Sequence, residues 1–146
     1  MENKSKELLK SYRRIKKEIE AIEASIRELR TNKIMPSLIQ DGMPHGSGCS
    51  DLSAYAAKLD ELERKMEDKR WKALCLYAEI EGYIMELPDE TERALCRFRY
   101  IVGMQWEEIC VTMGYGWAQI HRIHSKALKE IEGKIQQKTV CFEKMI

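Results

Sequence analysis

Residues 87 to 131 read LPDETERALCRFRYIVGMQWEEICVTMGYGWAQIHRIHSKALKEI, and their apolar spacing decides the fold. Gly114 falls where one helix must stop and the next leave at a steep angle, a position suited to a residue without a Cβ. With Gly114 as the turn, Ile109, Met113, Tyr115, Ile120 and Ile123 point inward and clamp two crossed helices. Cys110 takes the place of closest approach, where a larger side chain would force the helices apart. The spacing therefore predicts a helix-turn-helix. Just upstream, Asp89 follows Pro88 and precedes Glu92 by three residues, a capping-box pattern that marks a helix start.

Placing Ile120, Ile123 and Ala127 inward leaves Trp117, Ala118, Gln119, His121, Arg122, Ser125, Lys126 and Lys129 outward, at least in part. These are the candidate DNA contacts, the early residues for base edges and the later ones for phosphates. Arg122 is placed to pair bidentately with guanine, Gln119 to read adenine, and Trp117 to pack on thymine methyls or sugar. Lys126 and Lys129 fit backbone contacts, His121 a groove-facing donor, and His124 a partly packed position. The whole chain carries 25 Lys and Arg against 24 Asp and Glu, so DNA binding must come from a local patch. From Gly114 onward there are six Lys and Arg against three Glu, whereas Pro88 to Met113 holds three Arg against five acids. A charged outer face is also the default of any amphipathic helix. The alternative expectation is thus a protein-interaction module, a tri-helical unit that docks on another protein without touching DNA.

The run LPDETERALCRFRYIVGMQWEEICVTMGY, followed by QIHRIHSKALKEI, resembles the fourth region of bacterial sigma factors. The shared features are a leucine-proline start, a charged first helix, a glycine turn, and a basic recognition helix with an Ala-Leu pair, here Ala127 and Leu128. Gly116 and Trp117 depart from the pattern, standing where a hydroxyl cap and a polar or basic residue are expected. The resemblance implies recognition of promoter-like double-stranded DNA in bacteria, with contact to RNA polymerase. Nothing in the remainder resembles the sigma region that melts promoters and grips the polymerase core. The whole chain is similar to small phage and prophage transcription regulators, which join a helical front half to a sigma-like tail.

In the front half, Leu8, Tyr12, Ile15, Ile19, Ile22, Ile26 and Leu29 alternate steps of four and three, a coiled-coil period that keeps one seam facing a partner. Leu52, Tyr55, Leu59, Leu62, Met66, Ala73, Leu76, Ile80 and Leu87 follow the same period, with Lys69 on the seam. Ser50 or Asp51 is the expected cap of this second helix. Between them, the proline- and glycine-rich segment at about 34–50 reads as a loop. Residues 1 to 33 hold ten Lys and Arg against six Glu, and residues 51 to 86 hold six against nine acids, so the two helices attract. An intramolecular hairpin and an intermolecular coiled coil both satisfy the pattern. Trp71, Leu74 and Tyr77 on neighbouring faces offer a surface for a homodimer.

The expected fold is all-α: a long antiparallel helical hairpin over 1–86, a three-helix sigma-like helix-turn-helix unit over 87–131, and a C-terminal tail over 132–146. Five cysteines, Cys49, Cys75, Cys96, Cys110 and Cys141, show no CxxC and read as reduced core thiols of a cytoplasmic protein. No apolar run approaches the roughly 18 residues of a membrane span. His45 with Cys49, and His121 with His124, are pairs that fall short of a metal site, so neither metal nor cofactor is expected. Glu107 and Glu108, like Asp89 and Glu90, sit at helix starts as dipole partners rather than catalysts. No GxGxxG, GKS or GKT loop, HExxH or GxSxG occurs, and the expectation is that the chain is not an enzyme.

Overall fold

The structure is a computed structural model that describes residues 3 to 39 and 48 to 145, with side chains described for 3 to 31 and 52 to 145. Among the described residues every regular element is helical. In chain order these are α1 (Lys4–Ile39), α2 (Gly48–Met85), α3 (Glu90–Cys96), a π-helical turn (Arg97–Val102), α4 (Trp106–Met113) and α5 (Trp117–Met145).

Three boundaries differ from the sequence reading. The segment expected as a loop from 34 to 50 is shorter, because α1 continues through Pro36 to Ile39 and α2 begins at Gly48. Proline removes one backbone donor and crowds the preceding turn, a loss that a helix already near its end can absorb. Residues 40 to 47, with His45, lie outside the described residues, as do the side chains of Cys49, Ser50 and Asp51. Ser50 and Asp51 fall inside the first turn of α2 instead of capping it. At the other end, the expected tail from 132 is helical, since α5 runs unbroken across Gly133 to Met145.

The chain divides into two compact units, one of residues 15 to 72 and one of residues 1 to 14 with 73 to 146. This division departs from the boundary expected at 86 and 87, and the reason is core volume. A helix-turn-helix of some 45 residues buries too little apolar surface to stand alone. Here the core of the larger unit draws Leu9 from the start of α1 and Ile80, Tyr83 and Ile84 from the end of α2, packed with Leu87, Cys96, Tyr100, Ala127, Leu128 and Ile131. Polar links fasten the same elements. The Ser5 amide donates to Glu132 at 2.7 Å, Lys134 donates to the Glu86 carbonyl at 2.6 Å, and the Lys138 ammonium sits 4.2 Å from the centre of the Tyr83 ring.

In the unit of residues 15 to 72, the seam predicted on α1 is buried at Ile15, Ile19 and Ile26. Facing residues Leu59, Leu62 and Met66 of α2 are half-buried, while Leu52 is exposed, against expectation. Ion pairs flank the seam: Arg30 with Glu63 at 3.0 Å, Arg70 with Glu23 at 2.9 Å, and Lys69 with Glu18. From Glu23–Arg70 to Arg30–Glu63 the residue numbers fall on α2 as they rise on α1, the sense of an antiparallel pair. Lys69, the one seam position without an apolar side chain, thus uses its length to reach a carboxylate at the edge.

The cysteines also part from expectation. Cys96 is buried, with its thiol pushed up to about 12 by burial and the nearby Glu92 charge, and Cys110 is half-buried. Cys75 and Cys141 are exposed, so among the described cysteines only Cys96 and Cys110 pack against a core. No helix among the described residues is long and apolar enough to cross a membrane.

Candidate nucleic-acid interface

Local chemistry sets each helix of this region. The Asp89 side chain accepts from the Thr91 amide at 2.9 Å and starts α3. At the end of the π-helical turn, Gly103 adopts φ of 87° while its amide and that of Met104 both donate to the Phe98 carbonyl. The Glu108 carboxylate then accepts from the Gln105 amide at 2.9 Å, closing the start of α4. Gly114 ends α4 at φ of 71°, with its own amide and that of Tyr115 donating to the Cys110 carbonyl at 3.0 and 3.2 Å. A Cβ on Gly114 would meet nothing within 4 Å, so the glycine is required by the left-handed backbone and not by a close neighbour. The Gly116 carbonyl accepts from Ile120 and opens α5.

Leu95, Ile109 and Ile120 are fully buried at the crossing of α3, α4 and α5, ringed by Phe98, Met104, Trp106, Cys110, Met113, Tyr115 and Ile123. Ile109, Cys110, Met113, Tyr115, Ile120 and Ile123, named inward from the sequence, lie in this cluster, while Ala127 packs with Leu128 and Ile131 in the other. The outward face of α5 shows Ala118, Gln119, Arg122, Ser125, Lys126 and Lys129 exposed, with Trp117 53% exposed. Gln119, Arg122, Ser125 and Lys129 have no side-chain hydrogen bond or ion pair among the described residues. Their donors and acceptors are unspent.

Two candidates are not free in this way. His121 is half-buried and turned inward, its ring held between Trp106 at 4.6 Å and Trp117 at 4.5 Å. Its Nε2 is buried without a hydrogen-bond partner. The groove-facing role read from the sequence is therefore corrected: flat aromatic surfaces on both sides draw the imidazole off the outer face. Lys126 places its ammonium 3.1 Å from the carboxylate of Glu92, a residue only 1% exposed. The lysine is raised above its ordinary range by that contact. Glu92 is consequently not the second half of a capping box but a buried charge that Lys126 neutralises. Beside it, burial and the adjacent Glu92 push the Glu130 carboxyl up.

His124 is more deeply set than a partly packed position. It shares a 2.5 Å hydrogen bond with the Tyr100 hydroxyl and meets Trp106 edge-on at 4.7 Å. Burial lowers it to about 4, helped by His121, Lys6 and Arg99, so it is neutral at pH 7. Burial likewise raises Tyr100. With both histidine rings occupied by packing, this pair is a structural element. No group of three or more His, Cys, Asp or Glu side chains suited to a metal gathers among the described residues.

Two arginines that the sequence did not single out lie beside this face. Arg99 stacks over Trp106 at 4.5 Å and donates to the Met104 carbonyl, and Arg13 of α1 donates to the Gly103 carbonyl at 3.3 Å. The RFRY run, Arg97 to Tyr100, was a legible sign of cations near the turn, but a contact spanning 90 residues has no sequence signature. Comparison of the chain with family models, with curated proteins and with solved structures gives no match.

Proposed function

We propose that the chain is a sequence-specific DNA-binding regulator of transcription, in which α4, the Gly114 turn and α5 act as a helix-turn-helix of the sigma region 4 kind. One observation carries this reading: Gln119, Arg122, Ser125 and Lys129 stand on one exposed face of α5 with unspent hydrogen-bonding groups, on a helix anchored by fully buried Ile120. Unspent planar and charged groups on a rigid helix are what base edges and phosphates require. Arg122 pairs with guanine, Gln119 reads adenine, and Lys129 meets a phosphate. Trp117, held by His121, packs on thymine methyls or sugar. Lys126 adds positive field while remaining tied to Glu92. The sigma-like pattern makes RNA polymerase the protein partner of the same unit and a phage or prophage regulator the kind of protein. The paired front helices serve as the surface for self-association.

A second reading follows from Val111, 84% exposed, and Trp117, which place apolar surface beside the polar face. In that reading the unit docks on a protein. Selection of bound sequences from random duplex DNA, repeated across salt concentrations, separates the two. The DNA reading expects an enriched motif whose affinity falls steeply with salt. No enrichment, or salt-insensitive binding to a protein surface alone, would favour docking.

A further inference from the structure

The turn between the π-helix and α4 carries two guanidinium groups on successive carbonyls, Arg13 on Gly103 and Arg99 on Met104. The Arg13 side chain also packs flat on Gly103, where a Cβ would meet its Nε and Nη2 at 3.4 Å. Neither arginine forms an ion pair among the described residues. Like charges are thereby held together without a direct ion pair. Arg99 is lowered first by burial and then by the field of Arg13, while Tyr100 and Glu107 act against it. An arginine offers five donors in a fixed fork, and each of these two spends one on a carbonyl, so most of the donors remain.

The pair is tied to the reading face by a continuous stack. Arg99 lies over Trp106, Trp106 meets His121, and His121 meets Trp117 at the start of α5, with steps of 4.5, 4.6 and 4.5 Å. The anion that fits must reach a half-buried fork that the stack links to the first turn of α5. A phosphodiester of the DNA backbone has that shape, charge and place.

We propose that Arg13 and Arg99 form a phosphate clamp that grips one backbone phosphate of duplex DNA flanking the bases read by α5, so that the front helix α1 takes part in DNA binding. The proposal rests on the DNA-binding reading above. It makes α1 more than a packing element, because Arg13 supplies a contact that residues 87 to 131 cannot supply alone.

The test uses the full chain and the duplex motif obtained by selection, with a neutral methylphosphonate placed at each flanking phosphate in turn. For wild type, one position should cost about fivefold in affinity at 0.15 M salt, the effect of one released counterion. Arg13→Gln should lose about fivefold on all sequences alike and flatten the salt slope by about one unit, and should lose clearly less than wild type at that one methylphosphonate position, where Arg99 alone remains. Arg13→Lys should keep the slope. Should Arg13→Gln melt well below wild type, Arg13→Met, which keeps apolar cover over Gly103 without charge, takes its place. Equal methylphosphonate losses in wild type and variant at every position would overturn the clamp. If base preference still depends on Arg122 in that case, the clamp alone falls; if wild type shows no affinity for DNA, both readings fall.

Discussion

The unit of residues 15 to 72 and the unit that holds α3 to α5 are both helical, yet they keep their helices together by different means. In the first, two helices can bury only one seam each. Ile15, Ile19 and Ile26 go under on α1, while the facing residues of α2 stay half-buried and ion pairs line the edges. In the second, the start of α1, the end of α2, α3, the π-helical turn, α4 and α5 surround two core clusters in which Leu9, Ile80, Ile84, Leu87, Leu95, Ile109, Ile120 and Ile131 are almost wholly hidden. That depth lets the unit hold polar groups a two-helix pair cannot shelter, namely Glu92 and His124. The difference teaches that a single helix is fixed rigidly, and can shelter polar groups, only where the core beneath it is deep.

The largest expected effect comes from cutting that depth. Ile120→Ala should cost about 2 to 5 kcal/mol, because it removes a fully buried side chain and leaves a cavity. Leu62→Ala, half-buried on α2, should cost clearly less, since part of its surface is already wet. Urea melts of the two variants check the order, and equal losses would break the comparison.

Acid should then act on the deep unit through His124. Its folded value of about 4 lies below the ordinary 6.5, so on acidification the unfolded chain takes up the proton first. Stability is therefore present above pH 6.5, falls between 6.5 and about 4, and levels below, by at most about 3 kcal/mol for a shift of that size. Glu130, whose carboxyl is held up, contributes with the opposite sign as pH rises through its folded value. Thermal melts of wild type against His124→Gln isolate the histidine, and identical pH slopes would show that His124 is not held neutral.

The sequence made the helical class and the α4–α5 packing legible because both rest on periodicity. Apolar spacing named Ile109, Met113, Tyr115, Ile120 and Ile123, and the need for a left-handed residue named Gly114. Periodicity gives a direction but not a depth. Glu92 sits three residues after Asp89 as a cap would, and only the fold shows that it is buried and waiting for Lys126, 34 positions later. His121 was read outward from its helical angle, and the two tryptophans that draw it in come from different elements. Leu9 was missed in favour of neighbouring Leu8, which packs against the same core but is only half-buried.

A smaller effect follows from Lys126. Lys126→Ala should lower the melting temperature by stranding Glu92, and Glu92→Gln in the same chain should restore part of the loss, whereas two independent positions would simply add. Smallest of all should be Arg70→Ala in the two-helix unit, where an exposed pair with Glu23 contributes about 0 to 1 kcal/mol, less at high salt. A large loss there would mean that ion pairs, rather than the seam, hold those helices.

The central claim is that the free face of α5 reads DNA, and Arg122 tests it most directly. On the motif recovered by selection, fluorescence anisotropy should show Arg122→Ala losing about 1 to 3 kcal/mol, with preference relaxed at one base pair and helicity unchanged. Lys129→Ala on the same duplexes should weaken all sequences alike. An Arg122→Ala chain that keeps wild-type affinity and wild-type preference at every base pair would contradict the account.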